Sequence, residues 1–291
     1  MVSLSTFSIV AHDPNRKEWG VAVQSKFLAA GALVLWAHAG AGAIATQANA
    51  NVSYGPFGIN LLSTGKTASE VIHILTHSDE GIASRQIGVV DMNGGSAAFT
   101  GAECMSWAGH IIGDGFACQG NILIPGTIEA MAHKYEKIRG KNGELADWLV
   151  ETLAEGQKAG GDKRGQQSAG ILVVREKGGY LGNTDRYIDL RVDDDPKPIE
   201  KLKTLIGLHH LYFGEVDQHR LIELSVNTTE IQELLLRTGY YAGSLSGKFD
   251  ELTRKALHTL VGIENLENRW NGEGDFIDSL VLEYLQNKYK V

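Results

Sequence analysis

Residues 6–11, Thr-Phe-Ser-Ile-Val-Ala, and residues 19–25, Trp-Gly-Val-Ala-Val-Gln-Ser, are short apolar runs joined by Asp13-Pro-Asn-Arg-Lys-Glu18. Brief runs rich in β-branched residues and bounded by turn formers read as buried strands, so this stretch predicts a hairpin that begins a sheet. Residues 33–39 and 41–47 repeat the pattern. Tyr54–Ser63 and Ala68–His77 then read as helices, the second carrying Val71, Ile72 and Leu75 on one face. Strand character returns at 86–91 and Ser96–Thr100, around the Asn-Gly turn of Met92-Asn-Gly-Gly95. Two longer helices follow, Thr127–Ile138 and Leu145–Lys158, the latter stopped by Ala159-Gly-Gly161. Residues 168–176 and 187–192 are expected strands, and 198–212 a helix. Blocks of strands alternating with blocks of helices suit a layered α+β domain better than a regular βαβ winding.

The chain has 291 residues, of which 35 are Gly, concentrated between the short apolar runs as turns would require. Past residue 215 the pattern changes: Ile231, Leu234 and Leu235, then Leu252, Ala256, Leu257 and Leu260, then Phe276, Leu280, Leu282 and Leu285 fall at helical spacing. The expected division is therefore a domain at 1–215 and a small module of three short helices at 216–291.

Composition excludes several functions. The net charge is −8 and no Lys/Arg run occurs, which argues against a nucleic-acid partner or an anionic membrane surface. The longest apolar stretch, 27–48, is interrupted by Gly31, His38, Gly40 and Gly42 and does not read as a spanning helix. The first ten residues lack a basic segment and do not read as a secretory signal. Cys104 and Cys118 are too few for a disulfide framework, which points to a cytoplasmic setting; with His110 between them in sequence, both read as packing residues. No cofactor or metal is expected. Gly40-x-Gly42-x-x-Ala45 has no acid at the spacing a ribose would need, and Gly65-Lys66-Thr67 lacks the first glycine of a phosphate loop. His73 and His77 read as a solvated helix face without a third ligand, and Asp193-Asp-Asp195 as an acidic loop. Gly243-Ser-Leu-Ser-Gly247 has Leu245 where a nucleophile elbow needs Ser.

Polar residues also occur at the ends of expected strands. Thr6 opens the first, Ser25 and Lys26 close the second, and Gln47 and Asn49 close another. Gln119-Gly-Asn121 lies among apolar residues, and Asp162, Arg164 and Ser168 belong to a segment just before a hydrophobic strand. Together they suggest a cleft at the sheet ends.

At these residues the chain resembles a known family. Thr6-Phe-Ser-Ile-Val-Ala, Gly20-Val-Ala-Val-Gln-Ser-Lys-Phe-Leu, Gly42-Ala-Ile-Ala-Thr-Gln-Ala, Tyr54-Gly-Pro, Gln119-Gly-Asn-Ile-Leu, Gly160-Gly-Asp-Lys-Arg-Gly-Gln-Gln-Ser-Ala and Arg186-Tyr-Ile-Asp-Leu-Arg-Val-Asp-Asp resemble the domain of unknown function 1028 family over residues 5–213. That family is assigned to the Ntn-hydrolase superfamily, which implies a four-layer αββα sandwich. The tail resembles a peptidoglycan-binding domain through Gln232-Glu-Leu-Leu-Leu-Arg-Thr-Gly-Tyr-Tyr, Gly262-Ile-Glu-Asn-Leu-Glu-Asn-Arg-Trp and Phe276-Ile-Asp.

The resemblance implies an amide hydrolase in which Thr6 is the nucleophile and its own α-amine the base. Asn121 or backbone amides would hold the oxyanion, Lys26 would lower the amine pKa by like charge, and Ser25, Gln47, Asn49, Asp162, Arg164 and Ser168 would line the substrate site. The implied partner is a small-molecule or peptide amide, with self-association common in such folds; Trp36 and Trp107 read equally as interface or core. Because Met1 to Ser5 precede Thr6, its amine is freed only by cleavage after Ser5 or by initiation downstream. Two other readings stand beside the enzyme: a catalytically silent fold of the same kind used for binding or assembly, and a cell-wall ligand binder working through 216–291.

Overall fold

The computed structural model describes residues 6–77 and 79–290. The chain divides into two compact units, the first ending at Ile206 and the second running from Gly207. This division lies ahead of the 215/216 boundary read from sequence and falls inside a helix.

In the first unit, β1 (Thr6–Asp13) and β2 (Glu18–Ser25) form the expected hairpin. There follow α1 (Gly31–Val34), β3 (Leu35–His38), β4 (Gly42–Ala48), α2 (Tyr54–Ser63), α3 (Ala68–His77), β5 (Arg85–Asp91), β6 (Ser96–Thr100), β7 (Gly109–Gly113), β8 (Phe116–Asn121), α4 (Thr127–Ile138), α5 (Leu145–Lys158), β9 (Ser168–Val174), β10 (Arg186–Val192) and the first part of α6 (Pro198–Phe213), the helix in which the division falls. One sheet has the order β10-β9-β2-β1-β8-β7 and the other β3-β4-β5-β6, with antiparallel pairing throughout both.

Alternation along the strands shows what each face meets. Phe7, Ile9 and Ala11 of β1 pack with Met131 and Tyr135 of α4, Leu145, Leu149 and Leu153 of α5, and Ile199, Leu202 and Ile206 of α6. The intervening Val10 joins Val21, Val23, Ala43, Ala45 and Val90 between the two sheets. On the far face of the smaller sheet, Ile44, Ile87 and Val89 pack with Leu62, Val71 and Leu75 of α2 and α3. Gly20 lets α5 approach closely, since a Cβ there would lie 2.6 Å from Leu149 Cδ1.

Three readings need correction. Leu33 and Val34 lie in α1 rather than in a strand, because Ala30 N donates to Ser168 Oγ and Ala29 N to Asp193 O, holding a turn before β3 starts. The β7–β8 hairpin was not anticipated; its glycines and polar residues hide the apolar alternation. In the second unit, β11 (Leu221–Glu223) pairs with β12 (Phe276–Asp278), so Phe276 belongs to a strand and not to the final helix. The three helices are α7 (Thr228–Thr238), α8 (Glu251–Ile263) and α9 (Ser279–Lys288). Their core is built by Leu234, Leu235, Leu257, Leu260 and Leu285. The buried Arg269 pairs with Asp278 at 2.7 Å and donates to the Leu211 and Glu215 carbonyls, which satisfies a charge that would otherwise be costly to bury.

A second buried charge lies in the first unit. Glu18 is fully buried; its Oε1 accepts from Arg175 Nη1 at 2.8 Å, and its Oε2 has no hydrogen-bond partner among the described residues. Arg175 stacks 3.6 Å above the Tyr187 ring centroid, and Tyr187 Oη donates to Glu144, the N-cap residue of α5. Burial raises the Glu18 carboxyl from 4.5 to about 7, with the Arg175 charge opposing. A raised carboxyl is more protonated in the folded than in the unfolded chain between those two values, so stability falls as pH rises from about 4.5 to about 7 and levels off above. Glu18→Gln is expected to flatten that decline by about 2–3 kcal/mol, read from urea unfolding at about pH 5 and about pH 8.

Candidate functional site

The layer between the sheets is apolar at one end and polar at the other. At the Thr6 end, β1 contributes Thr6 and Ser8 at alternate positions, β8 contributes Gln119 and Asn121, β4 contributes Gln47 and β5 contributes Gln86, all fully buried. The pairing register sets Thr6 beside Ser25 on one side and Asn121 on the other. Four strands therefore bring their polar ends to one place.

These groups form a hydrogen-bonded chain without a formal charge. Gln119 Nε2 donates to Ser8 Oγ at 2.6 Å, and Ser8 Oγ donates to Gln47 Oε1 at 2.6 Å. Gln47 Nε2 and Asn121 Nδ2 both donate to Gln86 Oε1, at 2.9 and 3.0 Å. Gln86 Nε2 turns away to Thr100 Oγ1 and the Gly120 carbonyl. Thr6 Oγ1 lies 3.1 Å from Ser25 Oγ. Gly88 makes room for this chain, since a Cβ there would meet Gln119 Oε1 at 2.1 Å.

The backbone leaves this place under strain. Ala48 follows Gln47 at φ +66°, and Ile122 follows Asn121 at φ +56°. Left-handed backbone is unfavourable for alanine and more so for a β-branched residue. Ile122 is pinned there by its N–H to the Met105 carbonyl and by Lys163 N–H to its own carbonyl. Asp79 braces the rim beside Ala48: it accepts from Arg85 Nε at 2.9 Å, Tyr54 Oη at 2.7 Å and Asn51 Nδ2, while Arg85 Nη1 donates to the Asn49 carbonyl. The Arg85 guanidinium and these donors hold the Asp79 carboxyl far below its usual range.

Thr6, Ser25, Gln47 and Asn121 are thus brought together, and the five other expected site residues serve differently. Lys26 is exposed, its Nζ donating to the Gln166 carbonyl at 3.2 Å, so it does not join the buried chain. The Asn49 side chain is exposed and outside the chain too. Asp162 is buried and accepts the backbone N–H of Lys26 and of Arg164, with Arg164 Nε 3.8 Å away; it ties two loops. Ser168 Oγ donates to the Phe27 carbonyl and accepts from Ala30 N–H, fixing the turn after β2. Ser8, Gln86 and Thr100 were missed. Their signal is polar residues two apart near a strand end, as in Thr6/Ser8 and Gln119/Asn121.

Other motifs resolve as ordinary structure. Lys66 pairs with Glu70, His73 and His77 are exposed on α3, Cys118 is buried in the core, and Trp36 and Trp107 pack against core clusters.

Residues 6–202 match the family model described as "Family of unknown function (DUF1028)". Residues 212–285 match a second model, described as "Putative peptidoglycan binding domain". No curated protein matches the chain. Among solved structures, the crystal structure of a protein from Silicibacter pomeroyi assigned to the same family of unknown function is similar at 28% identity and a TM-score of 0.64, covering 72% of this chain and 90% of that one.

Because Gln86 accepts from two buried amides at once, Gln86→Leu should lower the unfolding free energy by about 2–4 kcal/mol in urea titration, leaving the Gln47 and Asn121 N–H groups without their acceptor.

Proposed function

The chain belongs to the DUF1028 family of unknown function, and from that premise we propose that its first unit is an N-terminal-nucleophile amide hydrolase with Thr6 as nucleophile. The observation that carries this reading is the surroundings of Thr6: among the described residues, its Oγ1 has one hydrogen bond, to Ser25 Oγ, and the chain of side chains beside it is built of amides and hydroxyls. Among the described residues, no histidine or carboxylate hydrogen-bonds to this hydroxyl. Its own α-amine, with a pKa near 7.7–8.0, is the base such a site accommodates. The packing supports the same reading, since the two sheets face each other with α4 and α5 outside one and α2 and α3 outside the other, as in the αββα sandwich of Ntn hydrolases.

The chemistry follows in two steps. Thr6 Oγ1 attacks the substrate carbonyl while its α-amine takes the hydroxyl proton, and that proton passes to the departing amine as the C–N bond breaks. Water then hydrolyses the ester to the acid and restores Thr6. Asn121 gives one N–H to Gln86 and retains a second for the oxyanion, directly across the strand pair from Thr6. The reading requires a free Thr6 amine, from scission of the Ser5–Thr6 bond or from initiation downstream; Ser5 lies outside the described residues. For the second unit we propose a cell-wall glycan or peptide ligand, on the strength of its family match.

N-terminal sequencing and intact mass of the untagged protein should find Thr6 exposed, with amide turnover that Thr6→Ala abolishes. A mature chain that retains Ser5 and is inactive on amides refutes the hydrolase and leaves a silent fold. Insoluble peptidoglycan should retain the full chain, and deletion of 207–291 should release it.

A further inference from the structure

At the opposite end of the sandwich from Thr6, the β1–β2, β5–β6 and β7–β8 turns converge with the loop between α4 and α5 around a cavity of about 300 Å³. Its lining includes His12, Asp13, Asp114, Tyr135, Arg139 and Trp148. None of the residues in the Thr6 chain lines it. The size is at the lower end of the roughly 300–1,000 Å³ usual for small-ligand sites.

The polar groups in this lining are unevenly committed. Arg139 is spent on Asp114, donating from Nη2 to its carboxylate at 3.2 Å and from Nη1 to its carbonyl. The Trp148 indole N–H donates to the Asn142 carbonyl. Asp13 differs. Although only 2% exposed, its Oδ2 has no hydrogen-bond partner among the described residues; Oδ1 accepts from Asn15 N–H, and the closest cation is the half-exposed Arg16, 3.7 Å from Oδ2. The Tyr135 hydroxyl also makes no hydrogen bond among the described residues, and burial raises its pKa, with the Asp13 charge adding to the rise and Arg139 opposing it. His12 stacks on Trp19 with centroids 5.0 Å apart, and burial lowers its pKa, so at neutral pH it is an uncharged ring beside Asp13.

We propose that this cavity binds a small organic ammonium compound. The carboxylate of Asp13 takes the ammonium N–H through the oxygen that has no donor, and the Tyr135 hydroxyl accepts a second N–H. Aromatic walls from Tyr135, Trp148 and His12 cover the alkyl part and favour a cation over a neutral molecule of the same shape. An anion is disfavoured, because the Arg139 guanidinium already donates to the Asp114 carboxylate and carbonyl, while the buried Asp13 Oδ2 has Arg16 at 3.7 Å and no hydrogen bond among the described residues.

Isothermal titration of the full chain with 1,4-diaminobutane and with n-butylamine, both protonated at neutral pH, tests this, using 1,4-butanediol as the neutral control. Saturable 1:1 binding of at least one cation and none of the diol is expected. Asp13→Asn, which keeps the acceptor for Asn15, should weaken binding by about tenfold or more, and Tyr135→Phe by several-fold with thermal stability preserved. The proposal is overturned if neither cation binds up to about 10 mM, if the diol binds equally well, or if Asp13→Asn binds like the parent chain. Should Asp13→Asn fail to fold, Tyr135→Phe decides alone, and undiminished binding by it counts against the site.

Discussion

The constraint on which the rest of this structure depends is that strands of both sheets are covered on both faces. An antiparallel sheet commonly leaves one face to water, and its strands then alternate polar and apolar residues. Here β1, β2, β4, β5 and β8 have helices on one side and the other sheet on the opposite side, so each side chain must be apolar or find a partner inside. Over most of the inter-sheet layer the first solution holds, with Val10, Val21, Val23 and Val90. At the Thr6 end the second takes over. Side-chain amides suit it because each donates and accepts at once, so Gln47, Gln86, Gln119 and Asn121 link up without burying a net charge.

That solution fixes the character of the candidate site. A layer built of amides and hydroxyls is preorganised and neutral: it can aim N–H groups at a developing oxyanion, yet it supplies no proton acceptor of suitable pKa. Any nucleophilic chemistry at Thr6 must therefore bring its own base, which in the proposed reading is the α-amine of a freed Thr6. Strain at Ala48 and Ile122 belongs to the same economy of space, since the chain must turn sharply as it leaves each buried amide. The buried carboxylates Asp13 and Glu18, by contrast, lie at the hairpin end near turns, each within reach of an arginine.

Much of the fold was legible in the sequence. Helices such as Ala68–His77, Thr127–Ile138 and Leu145–Lys158 each bury one apolar face, and their limits follow from local stops such as Ala159-Gly-Gly161. The β1–β2 and β5–β6 hairpins were announced by their turn residues. The β7–β8 hairpin was not, because Gly109, Gly113 and Gly120 weaken the apolar pattern and Gln119 and Asn121 look like loop residues until a second sheet lies above them. The β11–β12 ribbon escaped for a different reason: two three-residue strands far apart in sequence carry too few residues for any periodicity to show.

The candidate site divides along the same line. Thr6, Ser25, Gln47 and Asn121 could be picked out because polar residues at the ends of apolar strands break a local pattern. Which polar strand ends meet depends on register between strands distant in the chain, and that is a property of the packed sheets: it drew Ser8 and Gln86 into the hydrogen-bonded chain and left Lys26 and Asn49 exposed outside it. Local sequence by itself determined the helices, the tight hairpins and the existence of polar strand ends, because those rest on contacts within a few residues. Only the tertiary structure decided which of those ends share one buried layer, because burial on both faces and close approach at Gly88 select the partners.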